Sequence, residues 1–450
     1  MIYDIVIIGG GIAGLYTTYQ LNKRSSKLKI LLIEKESYLG GRVITYQDKI
    51  MTVEEGAGRI HGSQPLIMNL IRELGLSNKL NKNGSEAVFS PADGTSSIED
   101  SIDYAPKKNN KESSFLEPIY DNLISISLGN KTIPNAELIL EIIIKSQGYS
   151  RKSLQNQTLE SFAEKVLTKE QVKYIKRSFG YYSELVLMNA YDAIKLFVEL
   201  SPTNTFYSLK GGLSQIINKM EEKISHNPNI TIWRNREVKR ITRKCFMSKT
   251  DQIFEIKLEN LEIHSKKCIC ALPKNALEKL HIFKPISSLL NKVECGTLCR
   301  IYSKFDKDKN GKMWFQDLPK MTTDNEIRMI IPYNIKDGII MISYSDNKYA
   351  DYWNRLYNDK GIKEVNRRLK EKIFETTGID IPMPKHTRIF YWSCGVGYWG
   401  VGADSEKISK KMIQPFSNVE LYVCGENYSQ NGQQWMEGAL ETSATVLQNI

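Results

Sequence analysis

Histidine is scarce in this chain, with five scattered among 450 residues. That scarcity makes a zinc site improbable, and no metal is expected. The seven cysteines are odd in number and show no framework spacing, so reduced thiols are expected and a disulfide scaffold is not. Cys268 and Cys270, in CICALP, lie two apart and share one strand face. Core packing accounts for them, because no second ligand pair at zinc spacing exists. Long apolar runs are also missing, and nothing approaches the length of a membrane span. Met1 leads almost directly into an apolar strand, leaving no room for a signal peptide. A soluble, cytoplasmic protein without a membrane anchor is therefore expected. Neither a Walker-type lysine loop nor a catalytic Ser-His-Asp order is apparent.

The chain length exceeds one ordinary core, and about two domains is the natural reading. Lys and Arg number 62 against 51 Asp and Glu, a net charge of +11. Such a balance could attract nucleic acid. The basic clusters, Lys239 to Lys244 and Lys363 to Lys372, are however interleaved with apolar residues at regular spacing. They read as solvated faces of a strand and a helix, and no nucleic-acid partner is expected. Gly84 to Glu117 is rich in Ser, Asn, Asp and Lys without a period and reads as a long surface loop or partly disordered segment. Residues 135 to 200 read as helical, with apolar positions at Ile139, Ile142 and Ile143 and again at Phe162, Val166 and Ile175. An α/β pattern returns at YSLKGGLSQIINKMEEKI, whose helix face is Leu213, Ile216, Ile217, Met220 and Ile224, followed by strands in NITIWRNREVKRI and KKCICALP. No internal repeat of fixed period is visible.

The opening stretch DIVIIGGGIAGLYTTYQL carries the first chemistry. A β-branched run, Ile5 to Ile8, breaks into glycines and resumes at helical spacing through Ile12, Leu15, Tyr16 and Tyr19. Gly9 allows the sharp bend, Gly11 lets the backbone approach a pyrophosphate, and Gly14 lets the helix pack close on the strand. The helix N-terminus then faces the phosphates. A second apolar strand, LKILLIE, ends at Glu34, about 20 residues beyond Gly14, where a ribose-binding carboxylate belongs. Such a carboxylate repels a 2′-phosphate, which argues against NADP. Directly after it, Gly40, Gly41 and Arg42 form a second glycine loop with a guanidinium able to reach the same diphosphate.

At these residues the chain resembles the flavin-containing amine oxidoreductase family, which includes monoamine, polyamine and L-amino-acid oxidases. A further match lies at residues 418 to 447, where an apolar strand, Leu421 to Cys424, delivers Gly425 and Glu426 and a helix starts near Trp435. The resemblance implies non-covalent FAD, with Glu426 on the ribityl-phosphate side, the Met436 N–H on the flavin pyrimidine and Val238 against the adenine through its backbone. It also implies the fold: an α/β, Rossmann-like FAD-binding domain of glutathione-reductase type from residues 1–80, 205–290 and 386–450. A second, α+β substrate domain, partly helical, would be built from insertions at 81–204 and 291–385. The covalent subgroup attaches flavin through a cysteine just before the pocket aromatic. Here that position is Gly397, and Cys394 falls three residues early.

The same resemblance makes Trp435 one aromatic wall of the substrate pocket and takes the opposite wall from WSCGVGYWGVG, where Tyr398 is preferred over Trp399. VEEGAGRIHG, residues 53 to 62, is a hybrid. Its Gly-Ala-x-Arg pattern, residues 56 to 59 with Gly58 and Arg59 at its end, looks like the L-amino-acid oxidase motif, whose arginine pairs with a substrate carboxylate. His61 is instead similar to the tunnel histidine of polyamine oxidases. Arg59 bound to flavin or to Glu54 or Glu55, with His61 as a core residue, stays open. In GTLCRIYSKF, residues 296 to 305, Arg300 aligns with a lysine that most members hydrogen-bond through water to flavin N5. Arginine keeps the charge but not the proton traffic.

The expected function is an FAD-dependent amine oxidase. Hydride passes from the carbon of an amine or amino acid to flavin N5, the imine hydrolyses, and O2 takes the electrons as H2O2. The small-molecule amine and O2 are its expected partners, and a homodimer is one assembly the resemblance allows. The alternatives are a related flavoprotein, such as a desaturase or dehydrogenase, or an FAD-stabilised binding protein with little turnover.

Overall fold

Ile5 to Ile8 and Ile30 to Ile33 are each buried along their full length. Unbroken apolar strands of this kind suit a parallel sheet covered on both faces. The computed structural model describes residues 2–83, 88–91, 135–200, 205–245 and 252–450 and places these two strands side by side, Ile5 opposite Ile30 and Ile8 opposite Ile33. They belong to a seven-stranded sheet. Its order runs Arg240–Cys245, Gln252–Lys257, Glu262–Cys270, Ile2–Ile8, Ile30–Ile33, Ile230–Trp233. Strand Glu262–Cys270 changes neighbour part-way: its start pairs antiparallel with Gln252–Lys257, its end parallel with Leu421–Val423. The sequence ends thus meet in one sheet.

Three helices cover one face. Ile12–Arg24 follows the glycine turn, Ser214–Ser225 buries Ile216, Ile217, Met220 and Ile224, and Met436–Asn449 closes the chain. Their apolar stripes share one core with Ile5, Ile7, Ile30 and Leu32. On the opposite sheet face, Val6, Ile8, Leu31 and Ile33 pack with Cys268, Cys270 and Trp399. The two cysteines are free and buried there, as core residues.

A second, six-stranded sheet runs His386–Trp399, Val293–Lys304, Ile339–Asp346, Met329–Asn334, Met321–Thr322, Val88–Phe89. Strand His386–Trp399 therefore lies in this sheet, past the boundary expected at 386. The long helix Asn347–Thr377 packs against it and bends at Gly361, whose φ of 75° leaves the helical region. Residues 88 and 89, expected in a loop, pair with Met321 and Thr322, because their sheet partners lie far along the chain. The rest of the 84–117 loop assignment, apart from 88–91, lies outside the described residues.

The helical segment forms Asn135–Ser146, Arg151–Gln155, Leu159–Val166, Lys169–Ser178, Tyr182–Val186 and Ala190–Leu200. Its starts are written locally. Thr158 accepts from the Ser161 N–H, and Thr168 forms a full capping box with Gln171. Its core, centred on Phe162, Ile175, Phe179 and Phe197, also takes in Tyr398 from strand His386–Trp399.

One expectation is corrected. Cys295 and Cys394 form a disulfide, with Cα atoms 4.8 Å apart, so not all thiols are reduced. The antiparallel pairing of Val293–Lys304 with His386–Trp399 brings together residues that no local spacing connects.

Candidate active site

A cavity of about 760 Å³ opens along the ends of the parallel strands and runs to the helical segment. At its first end lies the glycine turn. A Cβ on Gly9, whose φ is +105°, would come 2.3 Å from the Ala271 carbonyl oxygen, and one on Gly14 would come 2.0 Å from the Gly9 oxygen. Both positions are set by backbone packing. A Cβ on Gly11 would meet only the Gly40 oxygen, at 3.9 Å, and Gly11 lies on the cavity wall. Helix Ile12–Arg24 starts there with no side-chain cap and no acidic residue in its first turn. Its N–H groups are thus suited to an anion supplied from the cavity. Glu34 is buried on the same wall, accepting from the Gly10 N–H at 2.7 Å and the Glu36 N–H at 2.9 Å. Its remaining lone pairs are free for hydroxyl donors.

Midway, two distant segments meet. Arg42 Nη1 donates to Glu426 Oε1 at 2.6 Å and to the Gly395 carbonyl at 2.9 Å. The other Glu426 oxygen accepts from the Gln434 N–H at 2.9 Å. Gly41, Val238 and Met436 line the wall, and helix Met436–Asn449 begins at it with Trp435 as its cap residue. Glu437, in that first turn, faces away and accepts from the Leu66 and Ile67 N–H groups at 2.9 Å each.

At the far end the lining becomes aromatic: Phe179, Tyr181, Phe206, Tyr344, Tyr398 and Trp435. Strand alternation separates Tyr398 from its neighbour, since Trp399 turns into the sheet core and donates through Nε1 to the Ser429 carbonyl at 3.1 Å. Arg59 lies 4.3 Å from the Phe206 ring centre and 5.9 Å from those of Trp435 and Tyr181, and donates to the Tyr181 hydroxyl. It makes no ion pair among the described residues. Glu54, one alternative partner, is instead engaged by the Leu213 N–H and the Thr45 hydroxyl at 2.7 and 2.9 Å. Burial pushes the Glu54 carboxyl up to about 7. His61 stands behind the wall, fully buried, 4.8 Å from the Phe206 ring and 2.6 Å from the Ser63 hydroxyl. It is not among the lining residues.

Arg300 reaches the cavity floor, with Nη1 3.3 Å from the Glu54 carbonyl and its guanidinium 4.9 Å from the Tyr344 ring centre. Burial works against its charge, but Tyr302 and Tyr344 outweigh this and hold it cationic. A Cβ on Gly58 would come 2.6 Å from Arg300 Nη1, so the glycine makes room for the guanidinium.

Sequence reasoning missed Glu184. It comes from FGYYSELV in the helical segment, where no motif anchors it, and the only signal was an acid set among aromatics. It lines the cavity beside Tyr181 and Tyr398 and is 7% exposed. Burial, then the nearby Asp346 charge, push its carboxyl up to about 8, with Arg59 opposing.

Cys394 is the cysteine on the cavity wall among the described residues, and the disulfide engages its sulfur. Gly397 is crowded, since a Cβ there would come 2.4 Å from Asn427 Nδ2.

The model of the flavin-containing amine oxidoreductase family matches residues 12–449. The chain belongs to this family. It is a flavin-dependent oxidoreductase, and the α/β fold is shared with solved relatives. An uncharacterised protein of Acanthamoeba polyphaga mimivirus is 23% identical over 498 residues, spanning 99% of this chain and 93% of that one. An engineered putrescine oxidase superposes with a TM-score of 0.70 at 13% identity, covering 100% and 99% of the two chains. A protein from Exiguobacterium sp. 255-15, provisionally assigned as a protoporphyrinogen oxidase, gives 0.68 at 16% identity over 99% and 98%. No helix among the described residues of this flavoprotein is long and apolar enough to cross a membrane.

The two glycines should separate folding from binding. Gly14→Ala is expected to destabilise the flavin-free protein by about 1–3 kcal/mol through overpacking. Gly11→Ala should leave its thermal midpoint almost unchanged while releasing flavin on dilution; equal losses of stability in both variants would refute the distinction.

Glu184 makes a pH prediction. Its folded value of about 8 exceeds the ordinary 4.5, so the folded state retains a proton that the unfolded state loses, and stability falls as pH rises through that interval. In thermal melts of the flavin-free protein, Glu184→Gln should match the parent near pH 5 and exceed it near pH 9.

Proposed function

We propose that this flavoprotein holds FAD non-covalently and oxidises small amines. The parallel sheet carries the dinucleotide, and the second sheet with the helical segment carries the substrate. The observation that most supports this reading is the single continuous cavity. It joins a glycine cradle, with the Glu34 carboxylate hydrogen-bonded to the turn at Gly10, to an aromatic chamber that includes Tyr398 and Trp435. Gly9, Gly11, Gly14, Glu34, Gly41, Arg42, Val238, Glu426 and Met436 would hold FAD along that length. Non-covalent attachment is supported by the disulfide on Cys394 and the glycine at 397.

FAD held by these residues would supply the hydride acceptor for the amine-bearing carbon, with oxygen as the final electron acceptor and water as the reactant that hydrolyses the imine. The protein's part is to orient and desolvate. Tyr398 and Trp435 exclude water and so favour the neutral amine over the ammonium. Arg59, stacked on Phe206 and without an ion pair among the described residues, would offer its guanidinium fork to a substrate carboxylate. His61 supports Phe206 and Trp435 from behind. Arg300 supplies a fixed positive charge that no pH within the working range removes.

Acid precipitation should release all yellow colour into the supernatant, and anaerobic addition of an amine or amino acid should bleach the flavin. Colour kept on the polypeptide would exclude non-covalent binding, and a flavin that no amine bleaches would exclude amine oxidation. Arg59→Ala should raise KM for an amino acid by at least about thirtyfold, the lower end of the cost of truncating a buried charge pair. It should barely affect a carboxylate-free amine.

Arg300 favours a second reading, a flavoprotein of this fold that serves oxygen poorly or acts mainly as a dehydrogenase. Under it, Arg300→Lys should quicken peroxide release after anaerobic reduction without changing the bleaching rate. Peroxide release already fast in the parent, and not quickened by lysine, would remove this reading.

A further inference from the structure

We propose that Gln434 is a specificity-determining residue, whose side-chain amide accepts a hydrogen bond from the N–H of the substrate's reacting amine. The proposal rests on the amine-oxidation reading and names the group that holds the nitrogen. It starts from the backbone. Among the described residues, five other than glycine have positive φ: Asn235, Arg328, Asn347, Asn418 and Gln434. Asparagine suits the left-handed region, because its short side chain can bond locally. A long side chain held there is strained, and strain of this kind persists where the surroundings or a function demand it.

The two long side chains differ in what they do. Arg328 is fully buried, and its guanidinium donates to the carbonyls of Arg177, Thr323 and Phe179 and lies 4.8 Å from the Tyr349 ring centre. The fold uses that side chain. At Gln434 the φ of 72° accompanies the bond from its N–H to Glu426, 2.9 Å long. That accounts for the backbone but not for the residue, since glycine would meet the same demand without strain. Among the described residues the Gln434 amide makes one contact, from Nε2 to the Met188 sulfur at 3.9 Å, and its oxygen has no partner. The adjacent glutamine is the contrast: Gln433 donates to the Asn427 carbonyl at 2.6 Å and accepts from the Trp399 N–H at 2.9 Å. Gln434 is instead half-buried on the cavity wall, directly before Trp435, where the last turn meets the helical segment at Met188.

A neutral amide suits the reaction. The nitrogen must be held in place and must also stay unprotonated, because an ammonium cannot give up hydride from its carbon. A carboxylate at this position would favour the ammonium. An amide oxygen accepts from a neutral N–H and carries no charge to bind a further proton. The aromatic walls that exclude water also leave the amine N–H in need of an acceptor, and a donor buried without one is costly. Gln434 supplies that acceptor beside Trp435.

The test compares the holoenzyme with Gln434→Met and Gln434→Gly. Methionine keeps the volume and the backbone strain but loses the amide, whereas glycine removes side chain and strain together. Butylamine is the probe, added anaerobically, and its dissociation constant is read from the concentration dependence of the flavin's spectral change. Both variants should bind it about two- to tenfold more weakly, the range of one neutral hydrogen bond, with flavin content unchanged. The flavin-free Gln434→Gly protein should melt no lower than the parent, since the fold loses strain and little else. Equal affinity in the parent and Gln434→Met would overturn the proposal, as would a parent that does not bind butylamine or variants that lose flavin. A Gln434→Gly protein that melts well below the parent would give the side chain to the fold and overturn it too. Weaker binding in the variants with a flavin that stays oxidised throughout would support the contact and refute amine oxidation. Bleaching alike in all three proteins, at equal affinity, would keep amine oxidation and refute the role of Gln434.

Discussion

The contact between Arg42 and Glu426 joins residues from opposite ends of the chain at the middle of the cavity. Everything else in the site is arranged around that junction. The proposed FAD, with its two nucleotide halves, would need a trough longer than any single strand–turn–helix unit can supply, with walls from separate parts of the chain. The parallel sheet sets Leu421–Val423 and Ile2–Ile8 on either side of Glu262–Cys270. Both then deliver their next residues to the same edge. Glu426 and Gly11 line one cavity because their strands share one partner.

The pair does not gain much of its value from Coulomb attraction alone, since desolvating two charges offsets most of it. Its geometry matters more. Arg42 also holds the Gly395 carbonyl on strand His386–Trp399, and Glu426 also holds the backbone at Gln434. One guanidinium and one carboxylate thus fix the first sheet, the second sheet and the loop before the final helix relative to one another. The aromatic chamber inherits its alignment from this fixing, since Tyr398 lies on the strand that Arg42 holds and Trp435 follows the residue that Glu426 holds.

What could be read in the sequence follows the range of the interactions involved. Gly9, Gly11, Gly14 and Glu34 were legible because a tight turn and a strand end impose residue types locally. The helix face at Leu213, Ile216, Ile217, Met220 and Ile224 was legible because helical spacing is itself the signal. Tyr398 is preferred over Trp399 on the resemblance alone, and the physical reason, Trp399 turning into the core, depends on the strand's orientation. The Cys295–Cys394 disulfide and the strand at Val88–Phe89 depend on partners far along the chain, and no local pattern encodes them. Glu184 was invisible for a further reason: its position is defined by what surrounds it, and acids on amphipathic helices are ordinarily solvated.

The fit of Arg300 against Gly58 constrains how this protein can have diverged. A side chain at 58 would overlap the guanidinium, whereas a shorter cation at 300 would leave that overlap unfilled. The two positions are therefore epistatic. Arginine at 300 keeps this pose only with glycine at 58. A side chain returning at 58 displaces the guanidinium from the pocket floor, so a change at either position is felt at the other and the two cannot be read independently.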